Sequence, residues 1–446
     1  MKTMKKLLVL MLAAAMLLSI AACAATTNDP TPSTDPAPAA EEPTQTAEPS
    51  AEKESLEVWA ISSGTETDQY LRDFASAHPE VDYTITFYSD DDLKTQSKIA
   101  LDSGIVPDAF FGHAGADFSE YYASGVLKDI TQLIKDNGTY DRIESGYYGP
   151  YTVDDKIYGY PEAVLTPWQS LYVNRDIFDA CGITEDPTTV DELIATCNTI
   201  RENGYDPIAI GDKDGWPAVI LCGDYYAQQT ADYGELNKIL TGEDTFPGNE
   251  VFRNAFATVV ELGQNGAYMS GFSSTDHNTA IQAFAAGQTA MLYCGSWWSS
   301  IAGGTDNGFT LDVIQLPLME GLTDNVSVQL CADIALLPTK DANESALGKF
   351  FDYISDGGYW TVMGNEYNSF TMVSSVNENL NLDPVFLKEP IIRQFDKPVL
   401  SPFFDNMFPA AVLTEMETAF QQAIAGEITV DQALENIQAV MDQNLG

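Results

Sequence analysis

Two adjacent tryptophans, Trp297 and Trp298, end the stretch GQTAMLYCGSWW, directly after a short apolar run and a Gly-Ser pair. Neighbouring side chains on a strand point to opposite faces, so both rings can share one core only if the backbone there is irregular. Gly295 would let the backbone turn. An indole ring can stack on the carbon-hydrogen face of a sugar, while carboxylates and amides bind its hydroxyls. We therefore expect one of the two rings to face a ligand and the other to pack inward.

Three further loops follow strand-like runs in the same way. LEVWAI leads into Ser63, Gly64 and Glu66, PDAFFG leads into HAGAD with Asp117, and DPIAIG leads into DKDGW with Trp216. In open α/β sheets, ligands bind beyond the carboxyl ends of the strands. We therefore expect these residues to contribute to one ligand site. Asp117 has an alternative role, because it could simply cap the helix that follows it.

Residues for catalysis are sparse. The three histidines are His78 before a proline, and His113 and His277 in expected loops; neither H-E-x-x-H nor G-x-S-x-G occurs. The run 90–92 and the pair Asp212 and Asp214 lack the rest of a calcium loop, which favours solvated turns. The sequence therefore predicts no metal, no cofactor and no enzyme. A glycoside hydrolase stays open, since 66 acidic residues guarantee some nearby carboxylate pairs.

The composition is that of a folded and very acidic protein. The 446 residues carry a formal net charge of -45, with 45% hydrophobic and 20% charged residues. A phosphate backbone would be repelled at long range, so nucleic acid is not expected as a partner. The length favours more than one core.

Short apolar runs alternate with helical patterns from LEVWAI onwards. The first series comprises ETDQYLRDFASAH, VDYTITFY, LKTQSKIALDSG and PDAFFG, and a helical stretch runs from YYASG to ITQLIKD. A second series follows SLYVNRDIFDACG, with capping boxes predicted at Thr189 with Glu192 and at Thr429 with Gln432. This order predicts an α/β fold with mainly parallel sheets.

The N-terminus has the pattern of a processing signal. Lys2, Lys5 and Lys6 precede an apolar run that is short for a membrane-spanning helix. The stretch from Ile20 to Cys23 resembles the lipobox of bacterial lipoproteins, which implies cleavage before Cys23 and its acylation. We therefore expect a signal peptide at 1–22. A tether rich in Pro, Thr, Ala and Glu follows at 23–55, and a disordered segment is the expectation.

Five other cysteines remain, an odd number that cannot all pair within one chain. They are Cys181, Cys197, Cys222, Cys294 and Cys331. No C-x-x-C spacing occurs, so small buried apolar residues are expected. A disulfide such as Cys181 to Cys197 stays open.

Eight segments in order carry a family resemblance. They are DFASAHPEVDYTI, ALDSGIVPDAFFG, YASGVLKDIT, DDKIYGYP, LYVNRDIFDACGI, PTTVDELIATCNTIRENGYDPIAIG, AFAAGQTAMLYCGSWW and AIAGEITVDQALENIQ. Across residues 56–446 the chain resembles the extracellular solute-binding proteins of bacterial ABC importers, in the sugar-binding group that includes maltose-binding protein.

The resemblance implies a two-lobed periplasmic-binding-protein fold of type II, with the ligand cleft between lobes joined by hinge strands. Lobe 1 would comprise residues 56–165 plus 314–372, and lobe 2 residues 166–313 plus 373–446. The hinge crossings would fall near 160–165, 313–316 and 372–375.

The resemblance also implies individual site residues. Trp297 aligns with the family's stacking tryptophan, which implies that Trp297 faces the ligand and that Trp298 packs inward. Phe408 aligns best with another aromatic position in SPFFDNMF, which also contains Asp405. Trp168 and Tyr225 are further expected ligand contacts. An acidic residue that maltose-binding protein has on the first hinge stretch has no aligned counterpart, since Glu162 is only nearby. Maltose itself is therefore not implied.

The leading hypothesis is a monomeric, lipid-anchored receptor on the outer face of the cytoplasmic membrane. It would bind a carbohydrate, expected to be an oligosaccharide, and deliver it to the permease subunits of an ABC transporter. The alternatives are a secreted glycoside hydrolase, which would turn the sugar over, and a surface adhesin, whose binding patch would be flat and would not close.

Overall fold

The computed structural model describes residues 54–62, 64–331, 333–396 and 398–445. The predicted signal segment, Cys23, the tether up to residue 53 and Ser63 lie outside these residues. The first strand includes Glu54, two residues before the expected start at Leu56. Nζ of Lys349 donates to the Glu54 carboxylate at 2.7 Å.

The strands are β1 (Glu54–Ile61), β2 (Val81–Tyr88), β3 (Ala109–His113), β4 (Thr152–Val153), β5 (Lys156–Ile157), β6 (Tyr160–Pro161), β7 (Val164–Pro167), β8 (Ser170–Asn174), β9 (Asp206–Ala209), β10 (Thr289–Leu292), β11 (Leu311–Gln315), β12 (Val328–Cys331), β13 (Ile334–Pro338), β14 (Phe370–Thr371) and β15 (Pro398–Ser401).

The α-helices are α1 (Thr65–Ala77), α2 (Asp90–Ser103), α3 (Ala116–Ser124), α4 (Thr131–Asp136), α5 (Arg175–Ala180), α6 (Val190–Glu202), α7 (Trp216–Ala227), α8 (Gly234–Leu240), α9 (Glu250–Gln264), α10 (His277–Ala285), α11 (Trp298–Ala302), α12 (Glu344–Ile354), α13 (Gly357–Glu366), α14 (Ser374–Asn377), α15 (Glu389–Ile392), α16 (Ala410–Ile424) and α17 (Val430–Leu445). Short 3₁₀ turns lie at Tyr140–Arg142, Ser145–Tyr151, Phe272–Ser274, Pro384–Leu387, Arg393–Phe395 and Asp405–Met407.

The first sheet builds lobe 1 in the strand order β2-β1-β3-β13-β6. β1 is parallel to both β2 and β3, as the β-α-β pattern predicts, because a helix returns the chain to the same sheet edge each time. β13 is antiparallel to β3 and to β6, so the sheet is mixed rather than mainly parallel. Its core includes Val58, Phe74, Phe111, Phe350 and Trp360.

The second sheet builds lobe 2 in the order β11-β8-β10-β9. Only β10 and β9 are parallel in it, while β8 is antiparallel to both of its neighbours. The expectation of a mainly parallel sheet is therefore wrong here too. The core combines Val173, Leu193, Phe256, Met291 and Phe420 from the strands and the surrounding helices.

A third sheet, in the order β14-β7-β12-β15, joins the two lobes. β7 lies close to the first expected crossing, and β14 directly precedes the third. The second expected crossing, at 313–316, is wrong: β11 pairs along its length with β8, and Ile314 and Leu316 are buried in the core of lobe 2. The chain returns through β12 instead. Val376 likewise packs in the core of lobe 1, beyond the expected boundary at residue 372.

Both predicted capping boxes are present. The Thr189 hydroxyl accepts from the backbone N–H of Glu192, whose carboxylate accepts from the backbone of Thr189. Thr429 and Gln432 make the same reciprocal pair at the start of α17. These local signals are correct because a cap uses side chains within one turn of the helix.

The expected helical stretch from YYASG to ITQLIKD is two helices, α3 and α4, which end and begin on either side of residues 125–130. Gly125 ends α3 in the left-handed region at φ 69°, a conformation in which a Cβ is disfavoured. Four of the cysteines, Cys181, Cys197, Cys222 and Cys294, are free thiols, so the Cys181 to Cys197 disulfide is not formed. Across the described part of the chain, none of the helices is both long and apolar enough to span a bilayer.

Candidate functional site

A cavity of about 550 Å³ lies between the lobes and is lined by residues of both. Lobe 1 contributes the carboxyl ends of its three parallel strands to the lining. The residues are Ile61 at the end of β1 and Ser62 after it, Asp90 after β2, and His113 at the end of β3. From lobe 2 it receives the loops after β9 and β10. The expectation that a ligand binds beyond the carboxyl ends of the strands thus identifies the correct edge of both sheets.

Four aromatic side chains form one side of this cavity, here called the aromatic wall: Trp168, Trp216, Trp297 and Phe403. Trp168 lies at the centre, with ring centroids 4.5 Å from Trp297, 5.8 Å from Phe403 and 6.3 Å from Trp216, all edge to face. Edge-to-face contacts are a favoured packing of aromatic rings. The wall is consequently rigid, because each ring is held by another.

The two adjacent tryptophans separate as expected. Trp297 is half-buried and lines the cavity, whereas Trp298 is 0% exposed and packs against Tyr172 and Phe284. The backbone there is irregular: β10 ends at Leu292, and Trp298 already begins α11. On a helix, neighbouring side chains point about 100° apart, which lets one ring face the cavity and the other the core.

A chain of charged side chains lines the same cavity and is here called the polar wall: Lys94, Asp90, His113 and Asp333. It adjoins the aromatic wall, since the ring centroids of His113 and Phe403 are 6.3 Å apart. Nζ of Lys94 lies 3.1 Å from Oδ2 of Asp90, one helical turn away. The other Asp90 oxygen lies 2.7 Å from Nε2 of His113, and Nδ1 of His113 lies 3.2 Å from Oδ1 of Asp333. All four residues line the cavity.

The polar wall holds its charges through mutual neutralisation. Burial disfavours the charged imidazole of His113, yet the carboxylates of Asp90 and Asp333 outweigh it and raise its pKa to about 10. Burial also opposes ionisation of Asp90, but the charges of Lys94 and His113 keep its pKa well below the ordinary range. At neutral pH both ring nitrogens of His113 therefore carry protons and donate.

Asp333 also connects the two lobes. Its Oδ2 accepts from the backbone N–H of Phe403 and from Nδ2 of Asn406, both at 2.9 Å. Asp333 directly precedes β13 of lobe 1, whereas Phe403 packs against the core of lobe 2. A single buried carboxylate thus links the polar wall to the opposite lobe.

His277 lines the lobe 2 side of the cavity, at the first residue of α10. Its ring centroid lies 4.5 Å from that of Trp216, and its Nε2 lies 3.3 Å from Sγ of Cys294. Burial lowers the pKa of His277 to about 4 and raises that of the Cys294 thiol. The pair is therefore neutral at physiological pH, the opposite of the thiolate-imidazolium pair that a cysteine nucleophile requires.

Glu162 lines the cavity, although it does not align with the acidic residue that maltose-binding protein has on the first hinge stretch. Its carboxylate accepts a short hydrogen bond from the hydroxyl of Tyr359. Burial, followed by the charge of Asp68, raises its pKa well above the usual range. Burial therefore disfavours the ionised form of Glu162.

The cavity brings together four of the expected site residues: Trp168, Trp216, Trp297 and Asp405. Each arrives from a different loop: after β7, before α7, after β10 and after β15. No sequence-local pattern connects these loops, so only the fold places them side by side.

Five expected residues do not line the cavity. Gly64 and Glu66 lie at the start of α1, where the Glu66 N–H donates to the Glu366 carboxylate at 3.0 Å. Asp117 is in the first turn of α3, 3.8 Å from Nζ of Lys98. The alternative role as a cap is also wrong, because the N-cap of α3 is Gly115 and no side chain caps it. Tyr225 and Phe408 are 0% and 1% exposed in the core of lobe 2, because α7 and the segment before α16 turn those faces inward.

Several cavity residues have no counterpart in the sequence-based expectations. His113 and His277 were expected in loops, but His113 is the last residue of β3 and His277 is the first residue of α10. The acidic run 90–92 was expected as a solvated turn, but it forms the first turn of α2, which Ser89 caps. The acidic run could have been found from the sequence, because it follows the strand VDYTITFY and ligands bind beyond the carboxyl ends of strands. Asp333 and Phe403 carry no such signal, because their position depends on the third sheet.

Two lobes joined by crossing strands, with a lined cavity between them, define the class of solute-binding proteins. The chain belongs to the bacterial extracellular solute-binding protein family, whose model matches residues 69–357.

Similar proteins agree with this class. An uncharacterized ABC transporter extracellular-binding protein of Pyrococcus horikoshii is 26% identical over 371 residues, 78% of this chain and 76% of that protein. A chitin oligosaccharide binding protein superposes with a TM-score of 0.76 at 21% identity, over 88% of this chain and 99% of that one. A structure from work on xylan utilization by Caldanaerobius polysaccharolyticus gives a TM-score of 0.75 at 21% identity, over 86% of this chain and 99% of that one.

Proposed function

We propose that this protein is the carbohydrate receptor of an ABC importer, and that it binds an oligosaccharide in the cleft and delivers it to the permease. One observation carries the proposal: the aromatic wall and the polar wall line the same interlobe cavity. A sugar ring needs this pairing, because its carbon-hydrogen faces are apolar and its rim of hydroxyls is not.

The dimensions of the cavity support the same ligand class. Its volume of about 550 Å³ lies within the roughly 300–1,000 Å³ of small-molecule sites. Two half-buried indoles, Trp216 and Trp297, are accessible from it, and Asp90, His113 and Asp333 supply charged acceptors and donors in the same cavity. Among the similar proteins, one is named for binding chitin oligosaccharide and another was studied in xylan utilization. These names support a carbohydrate ligand, which remains our proposal for this chain.

The remaining expectations form part of the same proposal. The mature protein would begin at an acylated Cys23, and the acidic tether would hold a monomeric binding unit outside the cytoplasmic membrane. Two lipid chains or more anchor a protein stably, whereas one gives only marginal binding. Within this proposal the lobes close around the ligand, and the closed form is what the permease recognises.

The experiment that tests the ligand class uses the chain from residue 24 onwards, which retains the whole described unit. A panel of neutral oligosaccharides of different linkage and length is screened by thermal shift, and the ligands found are titrated by calorimetry. A receptor is stabilised by at least one of them. The matched variants are Trp297→Ala, which should lose the shift, and Trp59→Ala, whose indole packs on Tyr88 outside the cavity and should retain it.

The same samples test the non-enzymatic role. After prolonged incubation, chromatography should return the bound sugar unchanged. Release of shorter sugars would favour a glycoside hydrolase, and binding without a change in solution scattering would favour an adhesin. If none of the oligosaccharides in the panel stabilises the protein, the proposal of a carbohydrate ligand is contradicted.

A further inference from the structure

Carboxylates outnumber cations at the cavity. Its lining contains two lysines, Lys94 and Lys213, together with the acidic residues Asp90, Asp91, Asp92, Glu162, Asp214, Asp276, Asp333 and Asp405. Within the polar wall, Asp90 forms ion pairs with Lys94 and His113, and Asp333 forms one with His113. Within the described ranges, the other aspartates of the lining make no ion pair.

Asp405 is the most informative of these residues. It is 5% exposed, and its Oδ1 has no hydrogen-bond partner among the described residues. Burial, with Asp333 nearby, raises its pKa to about 6, although Lys94 acts in the opposite direction. A buried carboxylate without a donor is costly, so such a group points to a partner that arrives with the ligand.

Three more accessible carboxylates lie in this region: Asp91 and Asp214 line the cavity, and Glu417 on α16 packs against Gly215, next to Asp214. Burial, and then the charge of Asp405, raises the pKa of Glu417 to about 7; Asp91 and Asp214 act in the same direction and Lys94 in the opposite one. Asp91 belongs to lobe 1, and the other three belong to lobe 2. We call Asp91, Asp214, Asp405 and Glu417 the acidic cluster. Closing the cleft brings like charges together across the lobes, which is unfavourable unless a cation lies between them.

The geometry does not suit a metal ion. Within the part of the chain that the structure describes, no group of three or more histidine, cysteine, aspartate or glutamate side chains is arranged to bind one. An ammonium group places fewer demands, because its three N–H donors each need one acceptor and no fixed coordination shell. The indole faces of the aromatic wall also attract cations.

We propose that the cleft takes an amino sugar, an oligosaccharide with a free protonated amine, and that the amine binds among the carboxylates of the acidic cluster with Asp405 as its main acceptor. The inference rests on the proposed function and narrows its ligand class. The sugar ring stacks on the aromatic wall, and its ammonium donates to the carboxyl group of Asp405, which lines the cavity. The same charges disfavour sugars that carry carboxylates.

The test compares three β-1,4-linked oligosaccharides of equal length that differ only at carbon 2: cello-oligosaccharide with a hydroxyl, chitin oligosaccharide with an acetamide, and chitosan oligosaccharide with an amine. Calorimetry on the chain from residue 24 is done at a pH where the amine is protonated. The amine form should bind at least 10-fold more tightly than the hydroxyl form. Asp405→Asn should abolish that preference, and Glu417→Gln, a half-exposed site, should reduce it.

Asp102→Asn is the matched control, because it removes one charge at the exposed far end of α2 and should leave the preference unchanged. Thermal unfolding of each variant establishes that it is folded. Equal binding of the amine and hydroxyl forms, or a preference that survives both cluster variants, overturns the inference while leaving the carbohydrate receptor intact. If none of the three sugars binds, the inference is also overturned, and the neutral panel described above decides the proposed function separately.

Discussion

The ring of Trp297 lies directly over the Cα of Gly295, so closely that a Cβ on Gly295 would be 2.0 Å from Cζ3 of the indole and 2.6 Å from Cγ2 of Thr166. Gly295 has a φ outside the left-handed region, so its role here is space rather than conformational freedom. The absent side chain is what allows the ring to settle between Thr166 and Trp168, facing the cavity.

Gly295→Ala should therefore displace the Trp297 ring and weaken carbohydrate binding about as much as loss of the ring does, roughly 1–3 kcal/mol on the scale of stacking on an aromatic side chain. Calorimetric titration measures the change. Gly146→Ala, where a Cβ meets nothing within 4 Å, is the control and should bind like the parent. Unchanged affinity in Gly295→Ala would show that the position of the ring is not needed for binding.

The two adjacent tryptophans should respond oppositely to truncation. Trp297→Ala should lower affinity by roughly 1–3 kcal/mol with little loss of stability, because the ring is half-buried at the cavity. Trp298→Ala should cost roughly 3–5 kcal/mol of unfolding free energy, because the ring is fully buried. Titration and denaturant unfolding on both variants separate the two roles. An exchange of the two results would contradict the assignment of the faces.

Raising the pH should destabilise the protein through His113. Its folded-state pKa is about 10, above the ordinary value near 6.5, so between these values the folded state binds more protons than the unfolded state. The contribution is fully present below about pH 6.5 and is lost as the pH rises through 10, with a slope of up to about 1.4 kcal/mol per pH unit. Denaturant unfolding from pH 6 to 10 should show a smaller slope in His113→Gln than in the parent, and parallel slopes would rule out this role.

Ligand binding should depend on the contact between the lobes at Asp333. Asn406→Ala removes one of the two lobe 2 donors to this buried carboxylate, and hydrogen bonds to charged groups contribute about 1.5–3 kcal/mol. We expect this contact to hold the lobes in the closed form, so affinity should fall by about 10-fold or more, and saturating ligand should reduce the radius of gyration less than in the parent. Asn444→Ala, on the exposed face of α17, is the control. A full response in Asn406→Ala would mean that other contacts hold the lobes.

Acylation at Cys23 can be tested on the membrane-extracted protein. Mass spectrometry should find a lipid-modified N-terminal peptide that begins at Cys23, and Cys23→Ser should shift the protein out of the membrane fraction. The reason is the resemblance of residues 20–23 to a lipobox. An unmodified N-terminal peptide that begins elsewhere would contradict the lipid anchor.

The sequence by itself determined the local elements and the edge of each sheet at which a ligand site forms. Strand and helix periodicity, and the caps at Thr189 and Thr429, depend on residues within a few positions of one another. The parallel strands β1 to β3 end at one edge because a helix follows each of the first two and returns the chain to the other edge. The divergence of Trp297 and Trp298 also followed from a strand that ends before a glycine, whereas the family resemblance indicated which of the two rings faces the cleft. These inferences need no knowledge of which distant segment is the neighbour.

Tertiary structure decided which residues meet in the cleft and where the chain crosses between lobes. β11 has the same apolar pattern as a hinge strand would have, but it pairs with β8 in lobe 2, and β12 makes the crossing instead. Asp333 and His113, 220 positions apart, meet only because β13 lies antiparallel to β3. Tyr225 and Phe408 have the composition of ligand contacts, yet helix orientation turns both into the core. Side-chain type indicates what a residue can bind, whereas long-range strand pairing and helix packing determine whether it reaches the ligand.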